Sequence, residues 1–106
     1  MREYPVRISE KALADMNGIY EYIAVNLQSP ENAMGQYNRI ADAALELGFF
    51  PEKFRLVDFE PEHSQGLRRM LVDKYSIFYV FKEEFVTIAR VLYSASDIEK
   101  RLKENM

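Results

Sequence analysis

The sequence predicts an α+β fold in which two helices cover one face of a mostly antiparallel sheet. Two observations predict it. Between residues 9 and 50, apolar side chains recur at spacings of three and four, the period of helices packed on one side. From residue 70 onward, β-branched and aromatic residues run instead in three blocks, Met70-Leu71-Val72, Tyr75 to Phe81 and Phe85 to Tyr93. Only short charged breaks separate them. At 106 residues and 48% hydrophobic content, the chain is expected to be one domain, residues 1–106, with a single core.

The elements follow in order. Tyr4-Pro5-Val6-Arg7-Ile8 alternates like a short strand, and Pro5, which lacks an amide hydrogen, suits a strand start or an edge. Ser9 is a good N-cap with Glu10 in the first turn, and Leu13, Met16, Tyr20, Ile23 and Leu27 mark the apolar stripe of a first helix. Ser29-Pro30 opens a second helix with a cap and a proline at its first position, and its stripe is Met34, Tyr37, Ala41, Ala44 and Leu45. The connection is so short that the two form an antiparallel hairpin. Gly48 ends the second helix, and residues 51–66, with two prolines and mixed polarity, form a long irregular connection tacked down by Phe54, Leu56, Val57 and Phe59.

Asp73-Lys74 spans a two-residue hairpin loop, so residue numbers paired across it sum to 147. Val72 then faces Tyr75, Met70 faces Ile77, and Arg68 faces Tyr79. The second hairpin has two readings. A three-residue loop pairs Phe81 with Phe85 and brings Tyr93 onto the Arg68 face, whereas a two-residue loop pairs Phe81 with Val86 and brings Arg90 there instead. Ser96 with Glu99 matches a capping box and starts a last helix whose inner side carries Ile98 and Leu102. The fold is therefore a short N-terminal strand, an antiparallel helix hairpin, a three-stranded antiparallel meander and a C-terminal helix. The sheet face away from the hairpin is expected to be partly open and to carry the site.

Composition bounds the chemistry. There is no cysteine, so disulfides and thiolate metal sites are unavailable, and a reducing cytoplasm is the natural setting. No signal peptide and no apolar run of about 20 residues predicts a membrane location. A net charge of −3 argues against holding nucleic acid by bulk positive charge. The charges are segregated, however: residues 9–50 hold two basic and six acidic side chains, while residues 68–94 hold five basic and three acidic ones. The sheet is the basic side.

Phosphate-binding glycine loops, metal-ligand spacings and nucleophile elbows are missing, so no cofactor and no metal are expected. His63 beside Glu62 has the makings of a general base, but a histidine in a polar loop is more often simply solvated. Arg68, Arg69 and Arg90 carry the fork geometry that binds phosphate or carboxylate, against the plain reading of solvated or ion-paired strand residues. Tyr75, Tyr79 and Tyr93 are able to stack bases or move protons, although aromatics at alternate strand positions more often build a core.

The run GLRRMLVDKYSIFYVFKEEFVTIARVLYSASDIEKRL resembles the RelE/ParE superfamily of toxins from bacterial toxin-antitoxin modules. The likeness rests on an arginine, a Tyr-x-x-x-Tyr strand, an acidic turn, an Ile-x-Arg-Val strand, a tyrosine and a closing Asp-led helix. It extends to the helix hairpin and to the proline after it. The resemblance implies a small toxin neutralised by a cognate antitoxin, with one of two activities. One is ribosome-dependent mRNA cleavage, in which a 2′-hydroxyl attacks the adjacent phosphate; the other is binding and poisoning of DNA gyrase. Nuclease members place basic or histidine residues just after the last strand, where this chain has Tyr93-Ser94-Ala95-Ser96.

That departure favours a ParE-like toxin that binds gyrase or another protein target, with Arg68, Arg69 and Tyr79 as partner-binding residues. The alternative is a RelE-like nuclease acting on ribosome-bound mRNA with Arg68, Arg90 and Tyr93 as its catalytic set. A third reading is a homologue without toxicity, retained as a binding module.

Overall fold

A computed structural model describes residues 2–104. Its elements are β1 (Val6–Ile8), α1 (Glu10–Glu21), a π-helical turn (Tyr22–Asn26), α2 (Pro30–Glu46), β2 (Arg68–Val72), β3 (Tyr75–Lys82), β4 (Phe85–Tyr93) and α3 (Ile98–Lys103). The strands form one sheet in the order β1-β4-β3-β2, with β1 parallel to β4 and the other pairs antiparallel.

The first hairpin has the predicted register, Arg68 against Tyr79, Met70 against Ile77 and Val72 against Tyr75. Asp73 carries its turn at φ 54°, a left-handed conformation that aspartate tolerates better than most residues. At the second hairpin the two-residue loop is correct: Phe81 pairs with Val86, and both Glu83 and Glu84 have positive φ, as a primed turn requires. The register then shifts. A bulge between Phe78 and Tyr79 places Arg90 opposite Phe78, Val91 opposite Ile77 and Tyr93 opposite Tyr75. Tyr93 therefore joins the face of Arg68 and Tyr79, while Arg90 leaves it.

The bulge falls where β1 ends. Ile8 pairs with Ile88, and the Ser9 amide donates to the Ile88 carbonyl at 3.0 Å. Beyond that point side chains of the first helix replace a neighbouring strand: Ser9 Oγ donates to the Ala89 carbonyl and the Asp15 carboxylate accepts from the Val91 amide. With no partner strand to enforce alternation, one extra residue is accommodated.

Ser9 caps α1 as predicted, accepting from the Ala12 amide at 3.1 Å. The buried faces of both helices differ from the predicted stripes. In α1 the core takes Ala12 and Met16, with Ile23 following in the π-helical turn, and leaves Leu13 and Leu27 outside. In α2 it takes Ala33, Gln36, Ile40 and Ala44, while Met34 and Leu45 are exposed. Met16, Ile23 and Ala44 are buried as predicted, and the remaining contact positions go to Ala12, Ala33 and Ile40 in place of the predicted leucines and Met34. Gly48 follows α2 as predicted; a Cβ there would collide with the Tyr4 carbonyl oxygen, whose own amide donates to the Gly48 carbonyl at 2.7 Å. The C-terminal helix is capped by Asp97, not Ser96: Asp97 accepts from the Lys100 amide, and Ser96 Oγ donates to the Tyr93 carbonyl.

Two apolar clusters result. The larger lies between the helix hairpin and the sheet and includes Met16, Ile40, Ile77, Tyr79 and Ile88. The second, Val57, Leu67, Phe78, Leu92 and Ile98, lies on the opposite face beneath residues 57–67 and α3. Complete burial of a side chain the size of Phe78 contributes about 2–3 kcal/mol. The far face is thus covered over Phe78 and Leu92 and stays open at Leu71, which is 64% exposed, while Arg68, Tyr79 and Tyr93 lie on the hairpin-covered face.

Asp73 also ties the β2–β3 turn to α2. Its Oδ2 accepts from Arg39 Nε at 2.8 Å and from Gln36 Nε2 at 3.0 Å, and these bonds, Arg39 first, hold its carboxyl below the usual aspartate range. A depressed folded value means a contribution present above the unfolded value and lost as pH falls through the folded one. Asp73→Asn is therefore expected to lower the melting temperature at pH 7, with the difference from the unmodified chain closing below about pH 4. Asparagine accepts the left-handed backbone, so a difference that persists in acid would place the effect in geometry rather than charge.

Candidate functional site

Where the sheet's Tyr75–Tyr93 end meets the outer part of the helix hairpin, the fold leaves a cleft of about 710 Å³. Gly18, Tyr22 and Leu27 form its helical wall, Lys74, Tyr75 and Tyr93 its sheet wall, and Arg101 of α3 closes one side. The π-helical turn explains the helical wall. It breaks the 3.6-residue period after Glu21, so Leu27 leaves the buried stripe and joins Tyr22 and Val25, which lie off it, at the surface; Tyr22, Val25 and Leu27 are 53%, 70% and 57% exposed. Tyr93 faces them from the sheet at 47% exposure.

The Tyr75 and Tyr93 rings meet edge to face at 5.9 Å. Burial, reinforced by the neighbouring phenols of Tyr93 and Tyr22, pushes the Tyr75 hydroxyl above its ordinary value. The shift favours the neutral, hydrogen-bond-donating phenol.

Behind the cleft wall Asp15 grips Arg90. The pair is bidentate, with Nε to Oδ2 at 2.8 Å and Nη2 to Oδ1 at 3.0 Å, and the same carboxylate accepts the Val91 amide at 2.9 Å. Both side chains are nearly buried, and Arg90 Nη1 adds a bond to the Arg101 carbonyl. These bonds to Asp15 outweigh burial and raise the Arg90 pKa, so the guanidinium stays charged and committed.

The structure brings only some of the sequence-predicted residues together. Arg68 and Tyr79 are cross-strand neighbours, but both serve the 51–54 segment: Arg68 Nη1 donates to the Phe54 carbonyl at 2.7 Å, and the fully buried Tyr79 donates its hydroxyl to the Pro51 carbonyl at 2.8 Å. Arg69 points to the opposite face, where its Nε donates to Ser76 Oγ at 2.9 Å; Ser76 in turn meets Ser94, and the guanidinium lies over Phe78. Arg68, Arg90 and Tyr93 do not converge. Tyr79 and Tyr75, which mark the positions of Arg68 and Tyr93 along β3, are separated by roughly 13 Å. His63 is held by the Val57 carbonyl through Nδ1, and Glu62 bonds Lys103 at 3.2 Å, so Glu62 does not orient it.

Sequence reasoning missed Asp15, Tyr22, Leu27, Lys74 and Arg101. The available signal was three apolar residues, Tyr22, Val25 and Leu27, at the hairpin tip, which no single helical face accommodates. Among the described residues no group of three or more histidine, cysteine or carboxylate side chains is placed to hold a metal ion, and no helix is long and apolar enough to cross a membrane.

Three solved structures share this architecture. They are the chromosomal ParDE toxin-antitoxin system of P. aeruginosa (22% identity, TM-score 0.72, covering 86% of this chain and 96% of that one), the RelBE2 complex of Mycobacterium tuberculosis (18%, 0.63, 86% and 98%) and the RelE-RelB complex of Pyrococcus horikoshii OT3 (19%, 0.56, 88% and 97%). No curated protein matches the sequence. The fold is that of the RelE/ParE superfamily. Residues 6–98 match the family model of the ParE toxin of the type II toxin-antitoxin system parDE, and the chain belongs to that family.

Proposed function

We propose that this protein is a cytoplasmic ParE-like toxin that acts by binding a protein target, DNA gyrase in the first instance, and is neutralised by a cognate antitoxin. The observation that carries the reading is the state of the cleft. Tyr22, Leu27 and Tyr93 give it a largely aromatic and aliphatic exposed surface, with Lys74 and Arg101 at its walls, and the arginine nearest Tyr93 in sequence is already engaged by Asp15. Such a surface fits side chains of a protein partner. Cleavage of RNA needs cations positioned on a pentavalent phosphate, and Arg68 and Arg90 are both committed to protein acceptors. The related structures are toxin-antitoxin systems, which supports an antitoxin partner here.

The test is a DNA supercoiling assay with purified gyrase. Inhibition that rises with toxin concentration and is reversed by the cognate antitoxin is the expected result; undisturbed supercoiling removes gyrase as the target. Lys74 and Arg101 on the cleft walls support a second reading, ribosome-dependent mRNA cleavage with Tyr93 as the proton-transfer group.

A further inference from the structure

We propose that Asp15 determines which class of ligand the cleft accepts, by holding Arg90 away from phosphate. This deepens, and rests on, the partner-binding reading of the cleft. Asp15 lines the cleft whereas Arg90 does not, and the ion pair ties the guanidinium to a carboxylate that borders the space a ligand would enter. The bidentate bonds occupy Arg90 Nε and Nη2, the edge with which arginine grips a phosphate, and the Arg101 carbonyl takes Nη1.

The lock is anchored from a second side. The Val91 amide donates to the same carboxylate oxygen as Arg90 Nε, so backbone as well as charge fixes Asp15 in place. The amide is available because β4 has passed the end of β1, and Arg90, which the bulge sets opposite Phe78, reaches Asp15 from there. Every other component of an RNA-binding cleft is present: tyrosine rings at positions 22, 75 and 93, and the cations Lys74 and Arg101. One carboxylate separates an aromatic cleft suited to protein from a basic aromatic cleft suited to single-stranded nucleic acid.

The test is fluorescence anisotropy with a short labelled single-stranded RNA over a series of salt concentrations. The unmodified protein and Arg90→Gln are expected to bind equally weakly. Asp15→Ala is expected to bind about tenfold more tightly at low salt, the size of one added charge-assisted contact. Its dependence of log K on log salt should steepen by about 0.7, the value for one further phosphate on a single strand. Adding Arg90→Gln to Asp15→Ala should remove the gain.

A folded Asp15→Ala protein with unchanged affinity and slope overturns the proposal. So does a marked loss of RNA binding in Arg90→Gln alone, which would show that Arg90 reaches phosphate despite Asp15. That second comparison keeps the idea testable if Asp15→Ala does not fold. Gyrase inhibition is read separately, so failure of the target reading leaves these outcomes intact, and tight RNA binding by the unmodified protein would instead overturn the partner-binding reading of the cleft.

Discussion

Replacing Arg90 with alanine is expected to cost about 3–5 kcal/mol of folding stability, because it leaves the Asp15 carboxylate nearly buried without its counter-charge. For a domain of this size the melting temperature should fall by more than about 12 °C. The cause is specific to the pair, so a double-mutant cycle isolates it. Asp15→Ala alone strands the Arg90 guanidinium and the Val91 amide, whereas Asp15→Ala with Arg90→Ala removes both charges and should be far less destabilised than the two single losses added together. Urea denaturation of the four proteins gives the coupling directly. A loss below about 1 kcal/mol for Arg90→Ala would show that the pair behaves like a surface ion pair.

The second large effect concerns the target. Tyr93→Ala and Leu27→Ala are each expected to weaken gyrase inhibition at least about tenfold, as loss of an interfacial anchor does, with little change in melting temperature because both side chains are about half exposed. Tyr93→Phe should retain most of the activity, since in this reading the ring supplies contact area and its hydroxyl transfers no proton. Nuclease chemistry demands the opposite ordering, in which Tyr93→Phe alone abolishes cleavage. The phenylalanine variant therefore separates the two mechanisms more cleanly than the alanine one. Full inhibition by both alanine variants would move the target-binding surface elsewhere, for instance to the smaller hollow of about 350 Å³ beside Phe49 and Phe50.

Much of the fold is legible because local rules settle it. Ser9, Pro30 and the two-residue break at Asp73-Lys74 each place an element boundary through a single interaction or a fixed loop length, and the pairing of Arg68 with Tyr79 follows from the loop alone. The bulge in β4 is different in kind. Its setting is the end of β1 and the approach of Asp15, more than 70 residues away in sequence, so pairing arithmetic along β3 and β4 does not foresee it. The two-residue-loop register holds only as far as Tyr79, and beyond the bulge the pairing follows a register that neither loop length gives. Near the turn Phe81 meets Val86, and beyond the bulge Tyr93 returns to the Arg68 face.

The site is less legible than the fold for a related reason. A strand position states which face a residue occupies but not what occupies that face along its length. Arg68, Tyr79 and Tyr93 share one side of the sheet, yet the helix hairpin buries its middle, leaving Arg68 with the 51–54 segment at one end and Tyr93 with the cleft at the other. The helix stripes are legible only in part: Met16, Ile23 and Ala44 are buried as the periodicity predicts, whereas Leu13, Leu27, Met34 and Leu45 lie outside and Ala12, Ala33 and Ile40 take the contact line. Leu27, displaced from its stripe at the hairpin tip, furnishes the cleft wall together with Tyr22.

In the proposed function the cleft engages protein and does not cleave RNA. Primer extension on mRNA recovered from a cell-free translation reaction containing the purified protein tests it most directly. Full-length extension products are expected at toxin concentrations that block gyrase supercoiling. Discrete stops that appear only while ribosomes translate, and that disappear with Tyr93→Phe, would contradict it and establish the protein as a ribosome-dependent nuclease.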